Sequence, residues 1–151
     1  MIHINHADQV DPAALAPFLT KAASLGLMHF QKNEEVDLTV YLTDDVEIAE
    51  LNKTWMEKEG PTDVLSFPSD EVDPQTGVEY IGDIILSVDR AKAQADANGH
   101  SLENECMLLV AHGVLHLLGF DHYTPEEKDE MWQHQSAILA DLGIGDIKIT
   151  E

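Results

Sequence analysis

Basic residues are scarce in this chain of 151 residues: eight lysines and arginines stand against 29 aspartates and glutamates, for a formal net charge of −21. Such a surface repels nucleic acid and anionic membranes, so it excludes binding through a broad basic face. Only Lys53 with Lys58, and Arg90 with Lys92, sit close enough in sequence to make a local patch. The acids themselves read as a solvated surface. Cysteine is nearly absent. A lone Cys106 makes no intramolecular disulfide, which agrees with a reducing compartment, and its setting in ECMLLVAHG reads as an inert core thiol. No run of about eighteen apolar residues occurs, which argues against a membrane-spanning helix. The opening MIHINHADQV lacks the basic and apolar regions of a secretion signal, so a cytoplasmic protein is expected.

What is present suits one folded domain over 1–151: 44% hydrophobic residues and 25% charged. A short strand at the start leads to a helix expected to begin with Asp11 as N-cap and Pro12 in its first turn, and to stop near Gly26. VDLTVYLT alternates Val36, Leu38, Val40 and Leu42 with polar neighbours, the period of a half-buried strand. DDVEIAELNKTWM follows as a helix. TDVLSFP reads as a short strand ended by Pro68, and SDEVDPQTGVEY as a loop or irregular hairpin. IGDIILSV has the apolar continuity of a strand buried on both faces. A helix stopped at Gly99 comes next.

Ser101 then caps a helix that runs to Leu118 and ends at Gly119; from Cys106 to Leu118 it is apolar nearly all round, the mark of a buried central helix. Thr124 and Glu127 form a capping box, with Pro125 in the first turn, for a last helix. The order of elements predicts an α+β fold: a mixed sheet of about four strands packed against several helices.

The chemistry lies in AHGVLHLLGFDH. His112 and His116 are four residues apart and share one face of the central helix, and the break at Gly119 lets His122 turn back beside them. Two imidazoles on so apolar a helix would each cost about 1–3 kcal/mol without partners. A shared metal ion satisfies both. Three histidine ligands leave a fourth position open, as in catalytic zinc sites, and a bound water there approaches a pKa near ~7, which favours hydrolysis. Nickel, copper and iron fit the same ligands. The spacing resembles the extended zinc motif of metzincin peptidases, but the residue after the first histidine, which must be a glutamate base there, is Gly113. Asp121 stands where it either orients a ligand or forms a turn.

HGVLHLLGFDH, preceded by GPTDVLSFPSDE and GDIILS, closely resembles the YbeY family of bacterial rRNA-maturation endoribonucleases, from about Leu51 to Leu142. The resemblance implies one Zn(2+) per chain on His112, His116 and His122, and metal-dependent cleavage of single-stranded RNA in 16S rRNA 3′-end maturation and ribosome quality control. It also implies the 16S rRNA precursor and the small ribosomal subunit as partners, with no membrane and no DNA. Many family members carry an arginine where this chain has Met56, so Lys58, Arg90 and Ser66 are the candidate substrate contacts. The alternative is a non-catalytic metal-binding ribosome-assembly factor; a hydrolase acting on a small molecule or peptide is a third reading. Thr62 and Asp63 either face the cleft or hold a turn, and Asp83 reads as a turn or cap residue. Trp55 and Trp132 are expected as core anchors. His3, His6, His29, His100 and His134 are expected at the surface.

Overall fold

The computed structural model describes residues 1–32 and 36–150. Along the chain they form β1 (Ile2–His6), α1 (Ala16–His29), β2 (Val36–Thr43), α2 (Asp45–Met56), β3 (Val64–Val72), β4 (Glu79–Ser87), α3 (Val88–Asn98), α4 (Leu102–Leu117) and α5 (Pro125–Asp141). The strands make one mixed sheet in the order β1-β2-β4-β3. β1, β2 and β4 run parallel, and β3 closes one edge antiparallel to β4. This is the expected single α+β domain. Among the described residues no helix is long and apolar enough to cross a membrane.

β2 buries Val36, Leu38, Val40 and Leu42 and half-buries the residues between them, as its alternation requires. Ile84 and Leu86 of β4 stand beside Val40 and Leu42 and extend that apolar face. α4 packs on the sheet at β3 and β4 and is flanked by α1, α3 and α5. From Glu105 to Leu117 all of its residues are buried except His112 and His116, which are half-buried. Glycine makes this close packing possible at two points. A Cβ on Gly113 would lie 2.9 Å from Ile84 Cγ2, and one on Gly26 of α1 would lie 3.2 Å from Val114 Cγ1. Consecutive residues of α4 are thus wedged between β4 and α1. The side chain that serves as base in the peptidase motif has no space at Gly113, because that position faces the sheet.

Several expectations need correction. α1 begins at Ala16, with Pro17 in its first turn, and runs past Gly26 to His29. Asp11 accepts from the Ala13 N–H and so caps only a preceding turn. Gly26 is there for helix contact rather than as a stop. β3 does not end at Pro68 but continues to Val72, because it is an edge strand with a register shift between Pro68 and Glu71 that spares the missing N–H. Gly77, at φ 75, then lies in the turn leading to β4, so the irregular hairpin holds. β4 buries Ile81, Ile84 and Leu86, but Asp83 and Ile85 are only half-buried, so helices do not cover its second face completely. Asp83 is a strand residue, not a cap: it accepts from the Tyr80 hydroxyl, which also lies 2.7 Å from Thr39 Oγ1.

Of the remaining histidines, His3 and His6 are exposed as expected. His29 and His134 instead meet each other, Nε2 to Nδ1 at 3.0 Å, beside Phe30 and Phe120. His100 is largely buried against Glu105 at 2.8 Å. Cys106 is fully buried, and burial pushes its thiol up to about 12, with Glu105 and Glu103 adding to the effect. A thiol reagent at pH 8 therefore leaves the native protein unmodified and labels one cysteine after unfolding, since only the thiolate reacts. Native labelling at a free-thiol rate would contradict this placement.

Candidate functional site

α4 ends in a tight reversal. The Gly119 N–H donates to the His116 carbonyl and the Phe120 N–H to the Leu115 carbonyl, with Gly119 at φ 96. This is the Schellman pairing, which needs a residue without a Cβ at the left-handed position. It turns the chain back so that His122 stands against the helical pair. The ring centroids of His112, His116 and His122 lie 4.6, 5.7 and 5.3 Å apart. Thr124 then caps α5 by accepting from the Glu127 N–H, and α5 brings Trp132 and Gln135, one turn apart, to the same site.

Neighbouring side chains orient the two helical imidazoles. His112 Nδ1–H donates to Gln135 Oε1 at 2.8 Å, so its Nε2 carries the lone pair. His116 Nδ1 faces the Asp121 carboxylate at 3.5 Å, and its Nε2 is turned toward His112. These two Nε2 atoms lie 3.0 Å apart. A cation bound between them would satisfy both nitrogens at once. Burial pushes the His112 pKa down to about 4, with His116 and His122 adding to the effect and Gln135 opposing it; burial also lowers that of His116. Both rings are therefore kept neutral, the form that ligates metals.

One ligand atom from each of the three histidines lies within 4.8 Å of the others. A tetrahedral zinc about 2.0–2.1 Å from each nitrogen needs donors roughly 3.3 Å apart, so the arrangement fits with small adjustments. His122 is the exposed member and sits on the loop, where adjustment is easiest. Gln135 is buried and was not among the residues singled out by sequence, because an amide one turn from a tryptophan carries no recognisable signal. Gln135→Leu is expected to weaken metal affinity by roughly 10–100-fold, read by competition with a chromophoric chelator. Unchanged affinity would reduce Gln135 to a space filler.

The histidines open into a cleft of about 490 Å³ whose walls include Met56, Lys58, Thr62, Asp63, Ser66 and Asp121. Lys58 lies in the segment after α2, where Glu57 adopts φ 56. That segment is pinned at both ends by Asn52: its carbonyl accepts from the Lys58 N–H and its amide donates to the Gly60 carbonyl. Ser66 comes from β3. Asp63 does both things expected of it, since it lines the cleft while its Oδ1 accepts from the Val64 N–H at 2.8 Å. Arg90 is not a cleft residue. It pairs with Asp45 at 3.2 Å, and Lys92 pairs with Asp96, so the second basic patch is neutralised within the fold. Trp55 is 66% exposed, with its edge toward Phe67, and is no core anchor. Trp132 is half-buried against the His112 and His122 rings.

The chain matches the family model described as Endoribonuclease YbeY over residues 1–143. Among similar curated proteins, the Endoribonuclease YbeY of Rhodococcus erythropolis is 42% identical over 130 residues, covering 82% of this chain and 72% of the relative. That of a Nocardioides species is 48% identical over 111 residues, covering 69% and 73%. The solution structure of TM1509 from Thermotoga maritima superposes with a TM-score of 0.58 at 24% identity, covering 98% of this chain and 97% of that one, a likeness of fold. With the three-histidine motif and the TDVLSFP strand meeting in one cleft, the chain belongs to the Endoribonuclease YbeY family.

Proposed function

We propose that this protein is a metal-dependent endoribonuclease that cuts single-stranded RNA in 16S rRNA 3′-end maturation and ribosome quality control, with one zinc per chain on His112, His116 and His122. The observation that carries the reading is the convergence of two imidazole Nε2 atoms, 3.0 Å apart, with a third imidazole at an open cleft. Family membership supports RNA as the substrate. A zinc ion bound there supplies Lewis acidity toward a phosphoryl oxygen and lowers the pKa of water.

The chain's own residues do the positioning. Gln135 and Asp121 hold the two helical imidazoles by their Nδ1 atoms. Lys58 offers its ammonium to a phosphate oxygen as a point charge, without the two-pronged grip an arginine would give from the position of Met56. Ser66 presents a hydroxyl from β3 toward the same cleft. Arg90, held by Asp45, takes no part. With a net charge of −21, little long-range attraction to RNA remains. The small ribosomal subunit therefore supplies position in the cytoplasm, and naked RNA binds weakly.

The test compares zinc-reconstituted protein on a labelled single-stranded RNA and on precursor-containing small subunits, before and after chelation and after zinc is restored. Cleavage that vanishes with chelator and returns with zinc is the expected result. Binding to the subunit with no cleavage of either substrate would replace the nuclease with a metal-binding assembly factor.

A further inference from the structure

A second cavity, about 300 Å³ in volume, meets the cleft at Asp63, Val64, His112 and His122, so the histidines stand where the two join. Most of its own wall is apolar, and its other polar groups differ in what they can offer a ligand. Glu105 is fully buried against His100, and Gln135 is buried against His112. The Thr150 hydroxyl accepts from the Asn98 amide at 2.6 Å. Lys128 is exposed, with its Nζ 5.4 Å from the centre of the Trp132 ring. That ring lies 5.8 Å, centre to centre, from both His112 and His122. A lysine one helical turn before a tryptophan lays its stem along the ring, whose electron-rich face attracts the ammonium. α5 thus holds a positive charge one ring away from the histidines.

Of the chain's eight basic residues, Lys58 lines the cleft and Lys128 the second cavity. On a surface of net charge −21, a cation on each side of the histidines is what a polyanion crossing them needs. The carboxylates of the two cavities are already engaged: Asp63 accepts from the Val64 N–H, Asp121 faces His116, and Glu105 meets His100. The acids that flank Lys128 along α5, Glu126, Glu127, Asp129 and Glu130, line neither cavity.

We propose that Lys128 binds a phosphate of the substrate: a single RNA strand crosses the three histidines, with Lys58 holding phosphate in the cleft and Lys128 the next phosphate along, in the second cavity. The inference rests on RNA being the substrate of the cleft. Each lysine acts as a point charge, so the grip is independent of base sequence. It depends on length instead. A dinucleotide has one phosphate, which cannot lie at the histidines and at Lys128 together.

The experiment uses zinc-reconstituted protein and reads binding apart from cleavage. Lys128→Met keeps an apolar stem over Trp132 and removes the charge, so melting temperature and zinc content should hold. Affinity for a 2′-O-methylated oligouridylate, followed by fluorescence anisotropy over a salt series, should fall roughly three- to tenfold at low salt. The slope of log affinity against log salt should become shallower by about 0.7, the share of one phosphate contact on a single strand. Lys128→Arg should restore it. Lys21→Met removes the same charge from the exposed side of α1, where it lines neither cavity, and should leave the slope unchanged. On unmodified RNA, Lys128→Met should lower kcat/KM for an oligouridylate by a similar factor and leave that for the dinucleotide UpU at the parent value. A slope unmoved by Lys128→Met, or moved equally by Lys21→Met, overturns the inference, and cleavage by the parent protein then leaves the nuclease reading intact. A slope lowered by Lys128→Met alone, with neither RNA cut, upholds the phosphate contact and counts against the nuclease.

Discussion

His116→Ala is expected to lower cleavage of single-stranded RNA by at least about 10³-fold, which corresponds to roughly 4 kcal/mol of lost transition-state stabilisation. The substitution leaves His112 on the helix and His122 on an exposed loop as the remaining donors. Two nitrogens, one of them on an exposed loop, do not retain the ion in competition with buffer. The fold should survive, because His116 is half-buried at the cleft rather than in the core, and alanine is the better helix former. Zinc content by mass spectrometry and rate constants on identically purified proteins decide the matter. Zinc lost together with activity assigns the chemistry to this site, whereas an unchanged rate would assign it to a contaminating nuclease.

Gly82→Ala should have the largest effect on stability. Gly82 sits at φ 137 in β4, opposite Pro68 of β3, and an added Cβ would lie 2.2 Å from the Phe67 carbonyl oxygen and 2.8 Å from Leu117 Cδ2. The first neighbour is backbone of the edge strand, which must separate from β4 to make room. Backbone strain and overpacking together should cost about 4 kcal/mol, or roughly 8–16 °C in melting temperature for a domain of this size. Leu117 adjoins His116, so zinc affinity should fall with stability. A melting temperature within about 2 °C of the parent would show that β3 yields freely at this point.

The features legible in the sequence are those with a local cause. The alternation of β2, the N-caps at Ser101 and Thr124, the stops at Gly99 and Gly119 and the clustering of three histidines each depend on residues a few positions apart. What the sequence hid depends on partners far along the chain. Gly26 resembles a helix stop until Val114 is seen against it, and Pro68 resembles a strand end until β3 proves to be an edge. His29 gains its role from His134, and His112 from Gln135. Trp55 departs from the expectation for a large aromatic residue, which is usually buried, because α2 carries this one out into solvent.

The wedging of α4 between β4 and α1, through Gly113 and Gly26, divides the histidine site into parts of unequal stiffness. His112 and His116 ride on a helix held from both sides to within the thickness of a methyl group, so they act as a fixed two-toothed clamp. His122 stands exposed on the loop beyond a left-handed glycine, held only by contacts with neighbouring rings such as Trp132. If the site holds the proposed zinc, substitutions in the Gly119–His122 turn are expected to change the exchange rate of the metal, and substitutions in the helix its affinity.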